Sequence, residues 1–263
     1  MPNMSTIDPK LLFTMFKGEP GTRKSTAAVS YPGPQYWFSF DRKMKGINIP
    51  IRNWGLDPTT IDYDDYDSWD KAVKKLEQFQ VRCENKKGQK YGTIIVDSIT
   101  SCADTMIRGV VSKKSGSGGG KKIGGIAVAG IEDFNAEASG LSEMIALLKD
   151  IHLYHGVNVI LIAHVIQTEH KTVDGRTHMS RIIVTAAKKI AAKVPAFCDE
   201  VYHFNMKGGK YGLLTAHTGD DFARTTLPLE QEILFEDEPL YEKWIVPAIA
   251  KMQEAPKIVA RLP

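Results

Sequence analysis

The sequence predicts an α/β protein built on a largely parallel sheet with helices on both faces. Three observations lead there. Short, nearly all-apolar runs recur along the chain, LLFTMF (11–16), YWFSF (36–40), TIIVD (93–97) and VNVILIA (157–163), as strands buried on both faces do. Segments of helical apolar spacing alternate with them. Polar residues close these runs, Asp41 after the second, Asp97 ending the third and His164 after the fourth. That is the carboxyl edge, where ligands bind in open parallel sheets.

In order, LLFTMF is a strand ending at Gly18, and KSTAAVS after the glycine-containing loop is a short helix that Tyr31-Pro32-Gly33-Pro34 must stop. YWFSF is the second strand. Trp69, Ala72, Val73, Leu76 and Phe79 mark an amphipathic helix over 68–84. TIIVD is the third strand, followed by a helix to about Val111. SKKSGSGGGKKIGG (112–125) lacks apolar periodicity and is expected as a mobile loop. Leu141, Met144, Ile145, Leu148 and Ile151 mark a further helix before VNVILIA, the fourth strand. TEHKTVDGRTHMS (168–180) is expected as a second mobile loop. SRIIVTA (180–186) and EVYHFNM (200–206) are strands, the latter forming a hairpin with YGLLTAH (211–217) across Gly208-Gly209. After Pro228 the chain turns acidic and proline-interrupted, with a helix over 239–252. The expected division is a core at 1–227 and a C-terminal appendage at 228–263.

A chain of 263 residues with 43% apolar and 25% charged content can bury a sizeable core. A net charge of +3 does not by itself announce a nucleic-acid partner. Cys83, Cys102 and Cys198 have no CxxC spacing and fit reduced, buried thiols. There is no basic-then-apolar leader, and the longest apolar run is too short to span a bilayer. The expectation is a soluble, cytoplasmic protein without a membrane partner.

GEPGTRKST (18–26) approximates a phosphate-binding loop, in which backbone N–H groups and a helix N-terminus converge on phosphate oxygens. Gly18, Lys24 and Ser25 stand at the first glycine, lysine and serine of GxxxxGK[ST], and Arg23 replaces the second glycine. Glu19, Pro20, Gly21, Thr22 and Thr26 complete the stretch. If the backbone at Arg23 still needs a glycine-like conformation, the residue carries strain of about 1–3 kcal/mol. The loop follows a strand and opens a helix, as its mechanics require. Asp97 fits a Mg²⁺-orienting carboxylate or a cap on the following helix. Asp41 fits a group that polarises an attacking water or an ordinary turn aspartate. His164, with Gln167 three residues on, fits a γ-phosphate sensor or a hydrogen-bonded strand-end histidine.

Together these motifs make the chain resemble the RecA-type P-loop ATPases. The nearer likeness is to the compact phage-encoded RecA-core group that assists single-strand annealing recombination. GEPGTRKST, IIVDSIT (94–100), VILIAHVIQTE (159–169) and KVPAFCDEVYHF (193–204) carry the likeness, over roughly residues 10–227. The resemblance implies a RecA-like core, ATP and Mg²⁺ held by Lys24, Ser25 and Asp97, and nucleotide sensing by His164 and Gln167. It also implies single-stranded DNA contact through loops after the third and fourth strands, assembly into rings or filaments, and work beside a single-strand annealing or single-strand binding protein. Where it places a catalytic glutamate, this chain has Asp41 and Lys43.

Loop composition is compatible with that partner. Lys113, Lys114, Lys121 and Lys122 flank the glycines of one loop, and Lys171, Arg176, His178 and Arg181 dot the other. Neither contains aromatics, so backbone contact is the expected mode; a solvated lysine cluster is the plain alternative. Arg224, Lys188 and Lys189 are candidates for a finger reaching a neighbouring subunit's nucleotide. Three readings of function follow: a DNA-dependent ATPase of phage recombination, a nucleotide-gated binding module with little turnover, and another P-loop enzyme such as a packaging motor or small-molecule kinase.

Overall fold

The computed structural model describes residues 8–84, 90–116, 122–123, 126–171, 177–185, 188–219 and 221–254. In chain order the elements are β1 (Phe13–Gly18), α1 (Lys24–Ala28), β2 (Gln35–Ser39), α2 (Asn48–Asn53), β3 (Ile61–Asp65), α3 (Trp69–Glu84), β4 (Thr93–Asp97) and α4 (Ile99–Gly116). There follow the two-residue pair β5 (Lys122–Ile123) and β6 (Ile126–Ala127), then α5 (Ile131–His155), β7 (Asn158–Lys171), β8 (Thr177–Ile183) and α6 (Lys188–Phe197). The chain closes with β9 (Glu200–Lys207), β10 (Lys210–Leu214), β11 (Glu232–Phe235), a π-helical turn at Tyr241–Ile245 and α7 (Val246–Glu254).

Among the described residues nine strands form one sheet, ordered β11-β10-β9-β1-β7-β4-β2-β3, with β8 paired to β7. The pairings from β9 across to β3 are parallel. Those of β10, β11 and β8 are antiparallel. The register levels the strand ends: Gly18 lies opposite His164, and Asp97 lies beside both Ser39 and Ile162. The polar residues that close the apolar runs therefore meet along one edge.

Both faces of the sheet are covered. On β4, Ile94 and Val96 join one core cluster while Ile95 joins the other. On β7, Val159, Leu161 and Ala163 alternate in the same way with Ile160 and Ile162. This period-2 split explains why the strands read as continuous apolar runs. Apolar side chains of α3, α4, α5 and α6 fill the first cluster; those of α1, α2 and α7 fill the second. Where α5 crosses α4, a Cβ on Gly140 would stand 2.5 Å from Met106 Sδ, so a glycine permits the approach.

The segment after Pro228 joins this architecture. β11 adds to the sheet beside β10, and Leu240, Ile245 and Ile249 are buried in the second cluster. Tyr241 N–H donates to Ser30 Oγ at 3.0 Å, tying the π-turn to the end of α1.

Two expectations are corrected. The first expected loop begins inside α4, which runs on to Gly116, so Lys113 and Lys114 lie on its last turn. There Lys113 pairs with Asp70 at 2.8 Å, and Lys114 with Asp133 at 2.6 Å. The second expected loop is mostly a β-hairpin: β7 runs on to Lys171 and pairs with β8 from Val165↔Ile183 to Lys171↔Thr177. Each change follows from backbone pairing that continues past the point where apolar periodicity stops. Lys121 and Arg176 lie outside the described residues. No helix among the described residues is long and apolar enough to cross a membrane.

Candidate nucleotide site

β1 delivers the loop. Gly18 ends the strand where a Cβ would stand 2.3 Å from the Phe204 carbonyl oxygen of β9, so only a glycine lets β1 and β9 remain paired at this point. The loop then turns through Gly21 at φ +81° and Arg23 at φ 67° into α1. Arg23 thus holds the left-handed conformation that its position asks of a glycine. Its side chain leaves the loop for the C-terminal segment. The guanidinium sits 3.4 Å from Asp237 Oδ1 and 5.0 Å from the Tyr211 ring centre. Asp237 is held in turn by Asn53 Nδ2 at 3.2 Å and, through its carbonyl, by Trp54 Nε1 at 2.7 Å.

Lys24 is buried and folded back on its own loop, its Nζ donating to the carbonyls of Gly18 (2.9 Å) and Glu19 (2.7 Å). Burial pushes this ammonium down to about 8, against the pull of Asp97, Asp41 and Glu19. Ser25 Oγ donates to Asp97 Oδ2 at 2.7 Å, joining α1 to the end of β4. Burial raises the Asp97 carboxyl to about 6; the Ser25 hydroxyl opposes the shift and the Asp41 charge adds to it.

Asp41 has the reverse fate. Burial would raise it, but hydrogen bonds from His164, Ser101 and Ser98 outweigh that and hold the carboxyl well below its ordinary range. Ser98 Oγ donates to Asp41 Oδ1 at 2.8 Å, and His164 Nε2 lies 3.2 Å from Asp41 Oδ2. The His164 N–H donates to Thr100 Oγ1 at 3.1 Å. His164 Nδ1 is buried with no partner among the described residues. Two neighbouring carboxylates pushed in opposite directions are the pattern of sites that divide ionic roles.

These groups line one cleft of about 260 Å³ that takes in the loop from Pro20 to Thr26 together with Asp41, Lys43, Asp97 and His164. Among the described residues no group of three or more His, Cys, Asp or Glu side chains stands ready for a metal. The oxygens of Ser25 and Asp97 fit Mg²⁺ nevertheless, because this ion binds through one or two protein oxygens plus substrate phosphates.

Gln167 is exposed on β7 opposite Arg181, beyond the cleft lining. Arg181 pairs with Asp221 at 2.8 Å and reaches Glu19 at 3.8 Å. Arg224 donates to the carbonyl oxygen of Cys198 and, at 3.5 Å, to that of Ala196. Lys122 opens β5, Lys171 ends β7, and Lys188 and Lys189 open α6. Sequence reasoning gave no role to Ser98, Thr100 and Ser101, the hydroxyls that fix Asp41 and His164. Their signal was the run DSITS directly after an apolar strand.

A parallel sheet whose first strand feeds a lysine- and serine-bearing loop into a helix, with an aspartate of a nearby strand bonded to that serine, defines a P-loop NTPase core. Residues 14–227 match the family model AAA_24, an AAA domain, and the chain belongs to this family. It is therefore an AAA-type P-loop domain, a class that binds and hydrolyses nucleotide, typically with Mg²⁺. No curated protein matches the chain significantly.

Proposed function

We propose that this chain is an ATPase of phage recombination that engages single-stranded DNA as an oligomer. The observation that carries the hydrolytic part is Asp41. Hydrogen bonds hold it ionised at the cleft wall, close enough to Asp97 for its charge to be felt there. A carboxylate so placed orients and polarises an attacking water as a fixed negative charge, with His164 and Ser98 bonded to its two oxygens. Lys24 exchanges the Gly18 and Glu19 carbonyls for phosphate oxygens, and α1 presents its N-terminal N–H groups. A magnesium ion held at Ser25 and Asp97 neutralises charge on the phosphates when bound.

The DNA part draws on the resemblance to RecA-core proteins and on one geometric fact. β7 carries His164 and then runs directly into the β7–β8 hairpin, so one strand links the cleft to the surface assigned here to DNA. Lys113 and Lys114 on α4 and Arg181 on β8 are all engaged by acidic partners, so phosphate contact at any of the three would displace an ion pair. In the oligomer each nucleotide would lie between subunits.

The test measures ATP hydrolysis and binding of a fluorescent single strand, each with and without the other ligand. Turnover that rises with single-stranded DNA is expected. Lys24→Ala should abolish ATP-stimulated DNA binding while leaving the fold intact, and a normal ATP response in that variant would sink the assignment. ATP binding without turnover makes the chain a nucleotide-gated module; turnover indifferent to DNA makes it another P-loop enzyme.

A further inference from the structure

A second pocket of about 300 Å³ lies apart from the nucleotide cleft, between β8, α6 and the segment around Phe222. Its walls are apolar, including Ile183, Ala191, Pro195 and Phe222, yet Lys17, Arg181 and Arg224 also line it. Lys17 is the unusual member. It stands in the buried strand β1 with 2% of its surface exposed. Its Nζ makes one long hydrogen bond, 3.4 Å to the Arg181 carbonyl oxygen. Among the described residues no carboxylate comes within ion-pair distance of it.

The neighbouring charges do not complete it. Arg181 pairs with Asp221 and reaches Glu19, while Arg224 is held by neutral backbone carbonyls. Asp221 Oδ1 and His203 Nδ1, 3.7 Å apart, are both buried without a hydrogen bond. Three cationic side chains thus line the pocket, among the described residues no carboxylate lines it, and nearby Asp221 is taken up by Arg181. A buried ammonium with unused donors is costly until an anion or acceptor meets it. Burial lowers the Lys17 ammonium to about 8, against the pull of Asp221.

We infer that this pocket binds a small amphipathic monocarboxylate, its carboxylate on Lys17 and its hydrocarbon body against Ile183, Pro195 and Phe222. The volume is at the small end of ligand pockets. Apolar walls disfavour inorganic phosphate, whose remaining oxygens would be left without donors. The surplus of cations disfavours an amine or a neutral alcohol. This site is separate from the nucleotide cleft, although Lys17 directly precedes Gly18 of the loop.

Octanoate, titrated calorimetrically into the full-length chain, is the probe, with octylamine as its charge-reversed counterpart. Octanoate should bind saturably with Kd below about 1 mM, and octylamine should not bind. Lys17→Met should weaken octanoate at least about tenfold, the loss of a charge-assisted hydrogen bond. Ala192→Phe, at an exposed position on α6 that lines the pocket, should do the same by filling the space. Absence of saturable binding, equal binding of octylamine, or unchanged octanoate affinity in either variant overturns the assignment. Ala192→Phe decides the matter alone should Lys17→Met fail to fold.

Discussion

His164 Nε2 lies 3.2 Å from Asp41 Oδ2 although 123 residues separate the two in sequence. The contact joins the middle of β7 to the second residue beyond β2, across β4. It aims a carboxylate that is kept ionised. Asp41→Asn should lower kcat by about 10²–10³ while nucleotide still binds, the loss expected when a preorganised charge beside the reacting water is removed. His164→Ala, which removes the group that orients Asp41, should cost less. Single-turnover hydrolysis beside nucleotide binding separates the effects; near-normal turnover in Asp41→Asn would exclude the assigned role.

Arg23 carries two opposing contributions. A non-glycine residue in the left-handed region costs about 1–2 kcal/mol. Its ion pair with Asp237, partly exposed on both sides, returns about 0–1 kcal/mol, and stacking on Tyr211 about 0.5–1 kcal/mol. Arg23→Gly should therefore change stability by less than about 1 kcal/mol and leave turnover unchanged, because the backbone already has the glycine conformation. Arg23→Ala keeps the strain and loses the contacts, so it should be the less stable variant in urea unfolding. An Arg23→Gly enzyme that turns over much faster would show that the side chain, not the loop shape, sets the rate.

Lys17 gives a pH signature. Its folded value of about 8 lies below the ordinary 10.5, so between these values the unfolded chain holds a proton that the folded chain has lost. Stability then rises with pH across that window, and below pH 8 the penalty is constant. Lys17→Met should abolish the rise and stabilise the protein at pH 7 by up to about 3 kcal/mol. Urea midpoints at pH 7 and pH 10 for both proteins test this, with loss of stability at pH 7 as the contrary result.

The C-terminal segment should be required for folding. Leu240, Ile245 and Ile249 are buried against the sheet, each contributing about 1.5–3 kcal/mol by burial. Ending the chain at Pro228 would expose that face and strip β11 from β10. Such a truncation should melt far lower than the full chain or fail to fold; a cooperative transition at the original temperature would contradict the packing described.

The sequence was most legible where a single physical cause acts locally. β1, β2, β4 and the first half of β7 are buried on both faces, so apolar content alone marks them. That Lys24, Ser25 and Asp97 meet in one cleft was legible because strand, loop and helix follow in order. The β7–β8 hairpin was not, since Thr168, Glu169, Thr177 and Ser180 are polar on both faces and carry no alternation. Nor was the end of α4, whose Lys113 and Lys114 are stabilised by acids from α3 and the start of α5. Lys17 in FTMFKG and His203 in EVYHF did leave a trace, each a basic residue inside a buried strand. Only the folded sheet brings the two together with Asp221.

β7 has one further consequence. Its first part is clamped between β1 and β4, and from Val165 onward it is paired without a break to β8. The seven steps from His164 to Lys171 cover about 23 Å at strand rise. From His164 to Lys171 the strand is therefore backed by a partner at every step, so that the cleft and the far end of β7 belong to one continuous ribbon. The parallel sheet holds one half of that ribbon, and β8 alone holds the other.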